Sequence, residues 1–186
     1  MTTVVGIDYS MSCPCVCVAR DKEFRNSYFH YLTDRKSALG KFKDYNIFGD
    51  EHDDYLTDQE RYENIASWVI NIVSPLDKAT THIMIEDYSF GSKGRVFHIA
   101  ENTGIMKYLL YKNGYKFHTV APTVIKKFAT GKGNATKDSM YEAYIKETGL
   151  DLISILTPNC KLGSPITDIV DAWYLAKYMI DGLEKV

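Results

Sequence analysis

The chain has 186 residues, 45% hydrophobic and 25% charged, enough for one well-filled core and unlike a disordered, collagenous or coiled-coil protein. No apolar run approaches the ~18 residues a membrane helix needs, and the N-terminus lacks a signal peptide's basic-then-apolar layout, so a cytoplasmic protein without a membrane partner is expected. Lys plus Arg number 22 against 24 Asp plus Glu, and the net charge of −2 gives by itself no sign of a polyanionic partner.

In chain order, Val4 to Tyr9 is a short apolar run containing an acid near its end, Cys13 to Ala19 reads as a second strand, and Arg25 to Leu32 as a third. Such short connections predict an antiparallel meander. The acidic, tyrosine-rich stretch 34–56 has no clear period and is expected to be a surface excursion. Thr57 to Glu60 carries the T-x-x-E pattern of a capping box and opens a helix with Ile65, Trp68, Val69, Ile72 and Val73 on one face, ended by Pro75. Thr81 to Ile85 reads as a buried strand leading into Glu86, Arg95 to Tyr111 as a helix stopped at Gly114, and Tyr115 to Val120 as a strand. Helices follow near Pro122 to Phe128 and Lys137 to Glu147, around a glycine-containing loop at 130–136. Ser164 and Pro165 are expected to cap and start a last helix reaching about Asp181. This order predicts a single α/β domain, a mixed sheet with helices on both faces.

Cys13, Cys15 and Cys17 alternate, which places them on one face of a strand, and Cys160 is remote. Their spacing is unlike a zinc knuckle, so buried, reduced thiols are expected.

Charge is segregated along the chain. From Asn102 to Lys137 there is no acid but there are seven lysines, whereas Asp44 to Glu63 holds eight acids and Arg61 alone among Lys and Arg. Such asymmetry points to an anionic partner more strongly than the total does. It makes Lys126, Lys127, Lys132 and Lys137 candidate contacts to an anionic partner, with amides around Gly131 and Gly133 able to hold a phosphate.

Four acids stand at element ends: Asp8, Glu86, and Asp168 with Asp171, which lie three apart on one helix face. Acids leaving apolar strands are costly to bury without a partner. Magnesium is a natural counter-charge for carboxylate oxygens, with manganese able to substitute, and two such ions ~4 Å apart support in-line phosphodiester hydrolysis. Asp87 faces away from Glu86 if the strand continues and is left out of the set. Two bound divalent ions would take the nominal charge from −2 to +2.

Val5 to Ser10, Ile83 to Glu86, Ala121 to Lys127, Thr130 to Lys137 and Thr167 to Ala172, in that order, resemble the RuvC-type Holliday junction resolvases, members of the ribonuclease-H-like nucleases. The resemblance implies a sheet of three antiparallel then two parallel strands. It also implies a homodimer that nicks four-way DNA junctions symmetrically, with two magnesium ions per active site, leaving 5′-phosphate and 3′-hydroxyl ends. Asp8, Glu86, Asp168 and Asp171 would be the metal-binding, catalytic carboxylates; Lys126 and Lys137 would match basic residues near the scissile phosphate, Lys137 being counted with the catalytic set. Tyr88 or Phe90 would take the place of the family's base-stacking aromatic, and the helix from Arg95 to Tyr111 that of the dimer contact. The long acidic excursion departs from the bacterial pattern and suggests a phage or mobile-element version, acting in a bacterial or phage-infected cytosol. Other branched DNA, flaps or RNA–DNA hybrids as substrates, and a non-catalytic junction-binding role, remain open, and nothing in the sequence identifies a branch-migration helicase partner.

Overall fold

Side chains alternate across β1 (Thr3–Asp8), sending Val5 and Ile7 to one side of a sheet and Val4 to the other, and each side meets its own helical layer. The structure is a computed structural model that describes residues 2–88 and 96–185. Phe90 and Arg95 lie outside the described residues.

The expected meander is present: β1, β2 (Cys15–Ala19) and β3 (Tyr28–Leu32) pair antiparallel in sequence. The excursion at 34–56 differs from expectation, because it adds two strands. β5 (Ile47–Asp50) pairs parallel to β3, and β4 (Gly40–Phe42) pairs antiparallel to β5. The alternation is hidden in sequence because the inward positions of β5 are Ile47 and Gly49, and a Cβ on Gly49 would stand 2.4 Å from a ring carbon of Tyr31. Tyr31 fills the space a side chain there would take, and its hydroxyl donates to the carbonyl of Ala38.

α1 (Asp58–Val73) starts as its capping pattern predicts: the Thr57 hydroxyl accepts from the Glu60 N–H at 3.2 Å. The Glu60 carboxylate returns one residue further than in the usual box, to the Leu56 N–H at 2.7 Å. β6 (Thr81–Glu86) then joins β1 in parallel, α2 (Val96–Lys112) follows, and β7 (Phe117–Val120) pairs parallel to β6. Among the described residues the sheet therefore has seven strands, in the order β4-β5-β3-β2-β1-β6-β7, rather than five.

The remaining helices are α3 (Pro122–Thr130), α4 (Lys137–Thr148), α5 (Leu152–Leu156) and α6 (Ile166–Leu183). α5 is too short to show a period in sequence and is held by Asp151, whose Oδ1 accepts from the Ile153 and Ser154 N–H groups at 3.1 and 3.3 Å. At α6 the expected serine cap is absent. Pro165 is itself the N-cap, its carbonyl already accepting from the Ile169 N–H at 3.0 Å.

α1 and α2 cover the Val5/Ile7 side of the sheet, and α6 covers the other, backed by α3, α4 and α5. Cys13, Cys15 and Cys17 are buried and free on the α6 side. Burial pushes their thiols up, so they sit protonated in that core. Among the described residues no helix is long and apolar enough to cross a membrane.

Candidate active site

Parallel pairing brings two acids to one end of the sheet. Ile7 is opposite Ile85, so Asp8 and Glu86 are the next residues of neighbouring strands and share the face that α6 covers. Asp168 and Asp171 reach the same place from the first turns of α6, whose backbone lies against Gly6, two residues before Asp8. Asp87 faces the other way, as its parity predicts, with Oδ1 3.8 Å from the Lys107 ammonium on α2.

Burial raises all four carboxylates, and repulsion from neighbouring carboxylates adds to it at Asp8, Asp171 and Glu86. Burial, then repulsion from Asp168, Asp171 and Glu86, holds Asp8 well above the ordinary carboxylate range. Burial, then Glu86 and Asp168, pushes Asp171 up to about 7. Burial also raises Glu86 and Asp168, the latter pulled back by Ser164 and Lys137.

Lys137 lowers all four acids, and its Nζ donates to Thr167 Oγ1 at 3.3 Å. Lys126 lowers Glu86 and Asp171. Lys127 and Lys132 are exposed, near the end of α3 and in the loop after it. Thr167 does not stand out in the sequence; its signal is only its position beside Asp168.

A cleft of about 450 Å³ opens at these strand ends, lined by Asp8 and Glu86 together with Tyr9, Met11, Arg61 and Tyr88 among others. Tyr88 is half-buried at its edge, the Lys107 ammonium 4.8 Å from its ring centroid. The Tyr9 hydroxyl donates to Asn102 Oδ1 at 3.1 Å, tying the residue after Asp8 to α2.

The donor set suits a hard divalent cation. Oδ2 of Asp168 is buried without a hydrogen-bond partner, and the surrounding carboxylates repel one another. Among the described residues no group of three or more His, Cys, Asp or Glu side chains is arranged to hold a metal ion by itself. Magnesium does not require one, since it is commonly held by one or two carboxylates with water and substrate phosphate completing its shell.

This electrostatic arrangement sets a pH dependence. Asp171, with an ordinary value of 3.8, contributes stability that is full below that value and lost as pH rises through about 7. In chelator the melting temperature is therefore expected to rise as pH falls from about 8 to about 5. Magnesium at about a hundred times its Kd should add about 2.7 kcal/mol near pH 8, roughly 5 to 10 °C, and much less near pH 5, where protons compete for the carboxylates. Differential scanning fluorimetry checks both; a magnesium shift independent of pH would count against these residues as the ligands.

No family model and no curated protein matches the sequence. Solved structures do match. Thermus thermophilus RuvC superposes with a TM-score of 0.61 at 14% identity, over 97% of each chain. T. thermophilus RuvC in complex with a Holliday junction substrate gives 0.63 at 14% identity, over 98% of this chain and 97% of that one. The chain has a RuvC-like, ribonuclease-H-like fold.

Proposed function

We propose that the protein is a metal-dependent endodeoxyribonuclease that resolves four-way DNA junctions by paired nicks. The observation that carries this reading is the meeting of Asp8, Glu86, Asp168 and Asp171 at one end of the sheet, beside Lys126 and Lys137 and with a buried carboxylate oxygen unpartnered. Branched DNA as the substrate is supported by the likeness to a RuvC solved on a Holliday junction.

The four carboxylates would hold two magnesium or manganese ions, which when bound supply an activated water and neutralise charge on the phosphodiester. Lys137, tethered at Thr167 beside Asp168, is placed to hold a non-bridging oxygen of the incoming phosphate, and Lys126 to do so beside Glu86 and Asp171. Exposed Lys127 and Lys132 extend this basic track along the flanking backbone. Tyr88, at the rim of the cleft, offers a stacking surface to an unpaired base, an interaction worth roughly 1 to 3 kcal/mol.

Mapped cleavage of a synthetic four-way junction, a linear duplex, a flap and an RNA–DNA hybrid at equal concentration tests the reading. Symmetric nicks in the junction, sealable by ligase, are expected. Intact metal binding without junction nicking would refute it, and faster cutting of the flap or hybrid would reassign the substrate.

Paired nicks in a two-fold symmetric junction call for two sites related by the same symmetry, hence a homodimer. α2 carries the surface for it: Phe97, Tyr108 and Tyr111 are 82%, 59% and 75% exposed. Replacing Tyr108 and Tyr111 together by aspartate is expected to give a monomer by light scattering and to uncouple the two nicks; an unchanged dimer would place the interface elsewhere.

A further inference from the structure

Arg61 stands on α1, in the helical layer across the sheet from α6 and Lys137, yet it lines the same cleft as Asp8 and Glu86. It lies in the most acidic stretch of the chain, and still no carboxylate pairs with it among the described residues. Two of the acids close to it in sequence are engaged elsewhere: Asp58 lies 3.7 Å from His98, and Glu60 accepts from the Leu56 N–H. One guanidinium nitrogen donates to the Met11 carbonyl at 2.7 Å, in the turn after β1, and the Tyr55 ring covers the group at 5.0 Å. Its Nε is buried and has no partner. A guanidinium has more donors than this one carbonyl uses, arranged in a fork that matches phosphate oxygens.

We propose that Arg61 binds a backbone phosphate of the DNA strand in the cleft, flanking the scissile one, from the helical layer opposite Lys126 and Lys137. The strand would thus be gripped from both sides of the carboxylates, while the bond to Met11 fixes the turn that follows Asp8. This assignment rests on the nuclease reading above.

Junction affinity of wild type, Arg61→Gln and Arg61→Lys, measured in chelator over a salt series, tests it. Arg61→Gln is expected to bind about tenfold more weakly and to lower the slope of log K against log salt by about 1, whereas Arg61→Lys keeps the slope. A methylphosphonate placed at single positions beside the nick should weaken the wild type about tenfold at one of them, and leave Arg61→Gln no weaker there. Identical slopes and methylphosphonate profiles would reduce Arg61 to a clamp on the Met11 turn and overturn the proposal. Flanking methylphosphonates that never alter wild-type binding would overturn it without recourse to any variant. Junction nicking that survives with either result leaves the nuclease reading standing, whereas a wild type that neither binds nor nicks the junction refutes that reading, and this assignment with it.

Discussion

Asp8→Asn is expected to abolish junction nicking, by about a thousandfold or more, while junction binding survives. A thousandfold is about 4 kcal/mol of transition-state stabilisation, within what a lost metal ligand removes. The amide side chain would keep the volume and one oxygen, but not the charge that attracts the cation. The same change should make the metal-free protein more stable near neutral pH, because Asp8 is held far above its ordinary range by burial and by repulsion from Asp168, Asp171 and Glu86. Its raised value means that protonation favours the folded state, so stability is lost as pH rises, and a side chain that never ionises removes that loss. Metal-free junction affinity should also increase, since one fewer negative charge faces the phosphates. Three measurements thus move together: nicking down, chelator melting temperature up, and magnesium-induced stabilisation reduced. A residue that served only the fold would lower the melting temperature instead. Undiminished nicking by the variant would remove Asp8 from the active centre.

The positions of the acids are more legible in the sequence than their neighbourhood is. An apolar run containing an acid at its end is visible in one dimension, so Asp8 and Glu86 stand out; their adjacency follows once β1 and β6 are parallel and in register. The three-residue spacing likewise puts Asp168 and Asp171 on one helix face. Parity also separates Glu86 from Asp87, which turns to Lys107. Strands β4 and β5 are not legible, because Gly49 occupies an inward position that Tyr31 fills from the neighbouring strand. The lysine run reads as one basic surface, but tertiary packing divides it: Lys107 turns to Asp87 and Tyr88, whereas Lys126 and Lys137 act on the carboxylates. Arg61 is visible as a lone cation among acids, yet nothing local announces that it reaches the cleft.

The largest effect on the fold is expected from Gly6→Ala, and it should reach the site as well. A Cβ on Gly6 would lie 2.1 Å from the Ala172 carbonyl oxygen and 2.6 Å from the Ala176 nitrogen. Both are backbone atoms of α6, so no side-chain rotation relieves the contact; strand and helix must part. Separating this pair breaks packing around Ala172 and Ala176, which are fully buried, and costs about 3 kcal/mol or more. For a chain of this length that is a fall of roughly 10 °C in melting temperature. Gly182, in the last turn of the same helix, has nothing within 4 Å of an added Cβ and serves as the control, with Gly182→Ala neutral or slightly stabilising. The functional consequence follows from what each element carries. β1 ends in Asp8 and α6 holds Asp168 and Asp171, so parting them by about 1 Å misplaces the carboxylates relative to one another, a displacement that can cost about a hundredfold in rate. Gly6→Ala is therefore expected to lose nicking even at temperatures where it remains folded, and to show a weaker magnesium shift in melting. A variant that melts lower but nicks at the wild-type rate would mean that the α6 carboxylates are positioned independently of β1, and would undo the four-carboxylate site.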